Sequence, residues 1–189
     1  GVGNSLKERG DNCMRIVQWM VLLGLVCICL IGRVEAQSAG IAASLEVLRQ
    51  VDREGKGNRA ATQAWDQITA SADAEQLPTI LAAMDGAGPL AANWLRAAID
   101  AIAERQVQRK GALPVAKLEA FLGHKQHDQR ARRLAYEWNA RADTTAPDRL
   151  IPRMLDDPSL ELRRDAVARL LTAAEKSIGS DNKAEALAT

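Results

Sequence analysis

The segment GHKQHD, residues 123–128, holds the only two histidines of the chain, His124 and His127, with Asp128 beside them. Imidazoles and a carboxylate this close are metal-ligand types, and a small metal-dependent helical enzyme is one reading they admit. Three such groups on a connector, with no cysteine or second carboxylate in reach, make a poor ligand set. The expectation is structural or solvated histidines, with no metal and no cofactor. A Ser-His-acid arrangement would need a nucleophile elbow such as G-x-S-x-G, which the sequence lacks. The glycine-bearing stretches GVGN and DGAGP lack the lysine and following Ser or Thr of a phosphate loop. Asp156 and Asp157 are adjacent at a helix start, where capping and the helix dipole explain them without an acid-base pair. The run RARR at 130–133 has phosphate-binding types, but Glu137 lies four residues after Arg133 and turns the run into an ion-paired, solvated helix face. Trp65, Trp94 and Trp138 are candidates for an aromatic binding stripe or for fillers between packed helices, and the second is the expectation. No residue is left with a catalytic role, and the chain reads as a non-enzyme.

The N-terminal segment points to export. Lys7, Arg9 and Arg15 precede the uncharged run IVQWMVLLGLVCICLIG at 16–32, and Val34-Glu35-Ala36 places small residues where a signal peptidase cuts, before Gln37. Residues 1–36 therefore read as a secretory signal peptide with cleavage between Ala36 and Gln37. A start at Met14 would leave residues 1–13 as upstream translation. The alternative is an uncleaved anchor through 16–32, a run near the lower length limit for spanning a bilayer. Cys27 is not preceded by the small residues of a lipoprotein cleavage box. All three cysteines, Cys13, Cys27 and Cys29, lie in this leader, so the segment from Gln37 onward must be held by its core, without disulfides. Removing the leader's four basic and three acidic residues from totals of 25 and 24 leaves 21 of each, which gives nucleic acid or an anionic lipid surface no electrostatic hold.

From Ser38 the apolar residues recur at helical spacing, rich in Ala, Leu, Arg and Glu, and the chain reads as all-α. Stop signals at EGKGN, DGAGP, RKGALP, GHKQHD, DTTAP, DDP and SIGSDN cut it into helices over 38–54, 58–71, 73–84, 89–109, 114–122, 127–142, 147–155 and 159–176. Short connections make consecutive helices antiparallel, and one pair cannot bury its apolar stripe alone, so the pairs are expected to stack. Arg-x-Ala recurs at Arg59, Arg96, Arg133 and Arg164, spaced by 37, 37 and 31 residues and always in the second helix of a pair. The regions read as a divergent first pair over 37–72, repeats over 73–176, and the start of a further helix over 177–189.

In LIPRMLDDPSLELRRDAVARLL, residues 150–171, Leu150, Ile151, Met154 and Leu155 form one face and Leu160, Val167, Leu170 and Leu171 with Ala174 a second. Asp157 is expected as N-cap with Pro158 at the first helical position, and Pro152 as a bend in the preceding helix. This stretch resembles a HEAT repeat in its paired helices, internal proline, Asp-Pro corner and Arg in the second helix. Residues 77–104 are similar in outline, and the resemblance extends over 73–176. It implies an α-solenoid, and a ladder between adjacent repeats in which the corner Asp157 and Arg163, six residues on, take part. Arg132 holds the place of Arg163 in the preceding unit, where Gln126 stands in place of the aspartate.

The function expected from these features is an exported, periplasmic or extracellular, HEAT-like scaffold that binds protein partners along a strip of successive second helices. Arg96, Arg133 and Glu137 are the candidate binding-face residues. The alternative is the helical N-terminal region of a larger extracytoplasmic enzyme or carbohydrate-binding protein.

Overall fold

The computed structural model describes residues 35, 37–51 and 57–179. The proposed leader, with Ala36, lies outside the described residues except for Glu35, as does the stretch beyond Gly179; Gln37 is helical and exposed. Two compact units divide the chain, Gly1–Ala43 and Ser44–Thr189. In the first, residues 37–43 are helical. Among the described residues there is no strand, and no helix is long and apolar enough to cross a membrane.

The second unit begins within the helical run 37–49 (α1) and continues with α2 (Asn58–Ser71), a 3-10 turn at Ala74–Gln76, α3 (Leu77–Ala82), α4 (Pro89–Gln108), α5 (Val115–Gly123), α6 (Gln129–Ala142), α7 (Ala146–Leu150), a 3-10 turn at Ile151–Met154, and α8 (Leu160–Gly179). Local chemistry accounts for most boundaries. Asp73 accepts from the backbone N–H of Glu75 while the Gln76 side chain accepts from the Asp73 N–H, a capping box that starts the α3 region. Pro89 sits at the first position of α4, where its missing N–H leaves no bond unmade. Gly86, at φ 69, supplies the left-handed residue of the DGAG corner. After α4 that conformation falls on Lys110 at φ 56, one residue before the glycine of RKGALP. There the Gly111 N–H bonds the Gln106 carbonyl and the Lys110 N–H the Val107 carbonyl, a Schellman closure with lysine in the usual glycine position.

Packing joins elements close in chain order. Within the second unit α2 lies against α4, α3 against α4, α5 and α6, α4 against α6, α5 against α6, α6 against α7, and the Ile151–Met154 turn against α7 and α8. One buried cluster shows how a corner is sealed: Leu122 of α5, Tyr136 of α6, Ala146 and Leu150 of α7, Ile151 and Met154 of the turn, and Leu162 and Ala166 of α8 pack together.

Four expectations about the last pair are corrected. The helix expected over 147–155 is split, because Pro152 has no N–H to give to the fourth residue back and its ring crowds that carbonyl, so the backbone tightens into a 3-10 turn. Asp157 is not the N-cap of α8. The Arg163 N–H bonds the Ser159 carbonyl, so Ser159 takes the cap position and Pro158 precedes the helix. The buried face of α8 is not Leu160, Val167 and Leu171, which are exposed, but Leu162 and Ala166. Leu162 and Ala166 are the α8 residues that enter the cluster with Leu150, Ile151 and Met154. The helix also runs past the stop expected after residue 176, to Gly179.

Candidate functional site

Among the described residues, one ion pair is fully buried. Arg132 leaves the first turn of α6 and is fully enclosed, as is Asp157 in the corner before α8. Two parallel bonds join them, Nη1 to Oδ1 at 2.7 Å and Nη2 to Oδ2 at 2.6 Å, while Arg132 Nε donates to the Leu122 carbonyl at the end of α5. Asp157 Oδ1 also accepts from the Ser159 N–H at 2.8 Å. Burial alone would push the Asp157 carboxyl up, but the hydrogen bonds from Arg132 and from the Ser159 backbone outweigh it and hold it below the ordinary carboxylate range. Of the three residues assigned to a ladder, the structure therefore joins Arg132 and Asp157, 25 positions apart and in successive pairs. Arg163 stands in the first turn of α8, half-buried, and the ion-pair partner of Asp157 is Arg132.

The three candidate binding-face residues are also brought together. Arg96 of α4 bonds Glu137 of α6 at 2.9 Å, and Glu137 in turn holds Arg133 at 3.0 Å, one helical turn away. Arg133 continues onto α8 through Asp165 and, at 3.6 Å, Glu161. Asp100 closes the other end, 3.7 Å from Arg96 and accepting from the Trp138 indole N–H at 2.8 Å. An ion-pair chain thus crosses α4, α6 and α8, with Arg96 and Glu161 its most open charges on α4 and α8 at 48% and 63% exposure. Burial opposes the Arg133 charge, but bonds to Asp165 and Glu137 more than offset this and raise its pKa. Sequence reasoning missed Asp100, Glu161 and Asp165. The four-residue spacing of Arg96 and Asp100 was a signal for the first; the other two depend on the rotation of α8.

The remaining candidates are occupied by structural contacts. His127 Nδ1 lies 2.7 Å from Asp85 Oδ2, its ring stacks on Phe121 at 4.0 Å, and Asp85 Oδ1 accepts from the Asp128 N–H at 2.7 Å. The cluster joins the DGAG corner between α3 and α4 to the GHKQHD corner between α5 and α6. His124 is exposed, and among the described residues no group of three or more His, Cys, Asp or Glu side chains is arranged to hold a metal ion. Arg130 is committed to Asp128 and to the Ala87 carbonyl. With Arg132 and Arg133 paired as above, RARR presents no unpaired phosphate grip. Trp138 is buried under the Arg141 guanidinium, 4.4 Å from the ring centre, while Trp65 and Trp94 are half-buried, so the three indoles form no open stripe. Comparison with family models, curated proteins and solved structures returns no match.

Proposed function

We propose that this chain is an exported, HEAT-like α-solenoid that acts as a non-catalytic scaffold and binds a protein partner across α4, α6 and α8. The observation that carries the reading is the charge chain from Asp100 to Asp165, in which successive ion pairs link side chains of α4, α6 and α8. The packing of elements on near neighbours in chain order, and the Arg132–Asp157 bond between consecutive pairs, support the stacked-repeat architecture. The chain of charges holds four carboxylates, Asp100, Glu137, Glu161 and Asp165, against three guanidiniums, Arg96, Arg133 and, 3.8 Å from Asp165, Arg164, and this acidic excess favours a partner surface rich in Lys and Arg over nucleic acid. Export to the periplasm or beyond follows from the leader read over 1–36, with Gln37 as the first residue of the product.

The test is capture from an extracytoplasmic fraction by the wild-type chain and by a variant carrying Glu137→Lys and Glu161→Lys. The expected result is a partner held at low salt by the wild type and lost by the variant, with helicity unchanged. Equal capture by both would place binding on another surface and overturn this assignment. N-terminal sequencing of the exported product tests the leader separately: Gln37 is expected, and an intact Met14 on a membrane-bound product would favour the anchor over 16–32.

A further inference from the structure

Among the described residues eight large apolar side chains are exposed, and four of them, Leu160, Val167, Leu171 and Ile178, lie on α8 at 68%, 43%, 59% and 57% exposure. At 100° per residue these four fall within a stripe about 40° wide, whose centre lies about 160° from the buried Leu162 and about 120° from the buried Ala166. Scattered apolar residues on a surface are ordinary, but half of them aligned on one helix face are not.

The spacing of the stripe is 7, 4 and 7 residues, the same in either direction along the helix. We propose that its occupant is α8 of a second copy of this chain, packed antiparallel about a two-fold axis level with position 169. That arrangement sets Leu160 against Ile178 of the second copy and Val167 against Leu171, and places the intervening Arg164 over the small Ala174. Each of these layers occurs twice by symmetry, as a self-complementary two-fold interface requires. Charge selects this arrangement over a parallel one. Arg164 and Glu175 flank the same edge of the stripe, and Arg164 is 77% exposed, with only a 3.8 Å approach to Asp165. An antiparallel copy brings Arg164 level with Glu175 across the interface, twice. A parallel copy would leave Arg164 and Glu175 of the two chains eleven residues, about 16 Å, apart along the helix and on opposite sides of the interface, without this pairing. Arg169, at the two-fold, lies on the opposite side of the helix, paired with Asp148 of α7, and so does not obstruct the approach. The stripe is about 27 Å long at about 1.5 Å per residue. Four large side chains from each copy are few for an interface, so the dimer is a weak one that forms and dissociates with concentration. Apart from Arg164, which touches Asp165 at its end, the ion-pair chain on α4, α6 and α8 is not used, and the proposal does not depend on the protein-partner reading.

Analytical ultracentrifugation of the full chain over a roughly hundredfold concentration range tests this. The mass is expected to rise from one copy toward two, and Val167→Glu with Leu171→Glu should hold it at one copy with unchanged helicity. Arg164→Glu alone and Glu175→Arg alone should each weaken association by roughly fivefold to tenfold, about 1 to 1.4 kcal/mol, and the two together should restore it. Association driven by the apolar run at 16–32 would not respond to that exchange. Leu155→Glu, exposed and apolar but off the stripe, should change nothing. A constant one-copy mass for the wild type, or failure of the paired exchange to restore association, would overturn the proposal and assign the stripe to another protein or to residues beyond Gly179.

Discussion

At the scale of single residues, the fully buried Arg132–Asp157 pair should dominate the response to mutation. Taking two charges out of water costs several kcal/mol, and the bidentate geometry with added bonds to Leu122 and Ser159 offsets that only while both partners remain. Arg132→Met or Asp157→Leu alone should cost about 3 to 5 kcal/mol in urea unfolding, and the double replacement should recover most of the loss. A loss in the double variant equal to the sum of the singles would show that the two charges are not coupled. The acid limb follows from the direction of the carboxyl shifts. The Asp157 carboxyl is lowered on folding, and so are Asp128 and Glu119, while Asp143, bonded by Thr145 and Arg149, is lowered to about 2. A lowered folded value favours the native state above the unfolded value, near 4, and that advantage disappears as pH falls through the folded value. Stability should therefore decline from about pH 4 downward, and the gap between wild type and Asp157→Asn should narrow between pH 7 and pH 2. A gap that is constant over that range would remove Asp157 from the acid response. Lys110 gives a prediction of opposite sign. Its left-handed backbone suits glycine, so Lys110→Gly should raise stability by about 1 kcal/mol, and a fall in the melting temperature would contradict this reading of the α4 terminus.

The element scale shows what periodicity conveys and what it leaves open. Helix α2 spans Asn58–Ser71, where apolar spacing and the EGKGN stop placed it, and α4, α5 and α6 depart from their expected limits by one or two residues. Gly, Pro and Asp at the corners act through local backbone chemistry, and the sequence displays them directly. The rotation of α8 was not legible. Both Leu160–Val167–Leu171 and Leu162–Ala166 are helical stripes, and only the tertiary neighbours decide which one faces the core. The deciding contact is the same Arg132–Asp157 bond: it holds Asp157 below the corner, so that Ser159 opens the helix and Leu162 enters the cluster of Leu150, Ile151 and Met154. The pairing of Arg132 with Asp157 depends on a chain separation of 25 that spacing alone does not indicate, though the resemblance pointed to both residues. The sequence marks Arg96, Arg133 and Glu137 only as charges on successive second helices; their mutual pairing depends on the side-by-side placement of α4, α6 and α8. Leu162→Ala should accordingly cost about 2 to 5 kcal/mol, and the half-buried Leu170→Ala clearly less. A larger loss at Leu170 would return the buried face of α8 to the one periodicity suggested.

Across the whole second unit, stability should be distributed in the way stacked pairs distribute it. The most extensive packing is within a pair, α5 on α6, and between pairs α2 lies on α4, α3 on α5 and α6, and α6 on α7, while α8 packs on the Ile151–Met154 turn, so each pair draws further burial from its neighbours. In such an arrangement stability is close to a sum of unit and interface contributions, and damage at one end is felt mainly there. A single cooperative core would spread the same damage evenly over all helices. Leu162 separates these cases, since it is fully buried in the cluster that joins α8 to α5, α6 and α7 and lies in the last described helix. Amide hydrogen exchange of Leu162→Ala, read by mass spectrometry at a temperature where the chain remains folded, should rise sharply over residues 146–179 and modestly over 115–142. Over 58–108 it should match the wild type. The reverse experiment uses Ile68, fully buried in α2: Ile68→Ala should raise exchange in α2 and α4 and leave α8 protected. If either substitution accelerates exchange uniformly from α2 to α8, the unit unfolds as one body and the stacked-repeat reading fails with it.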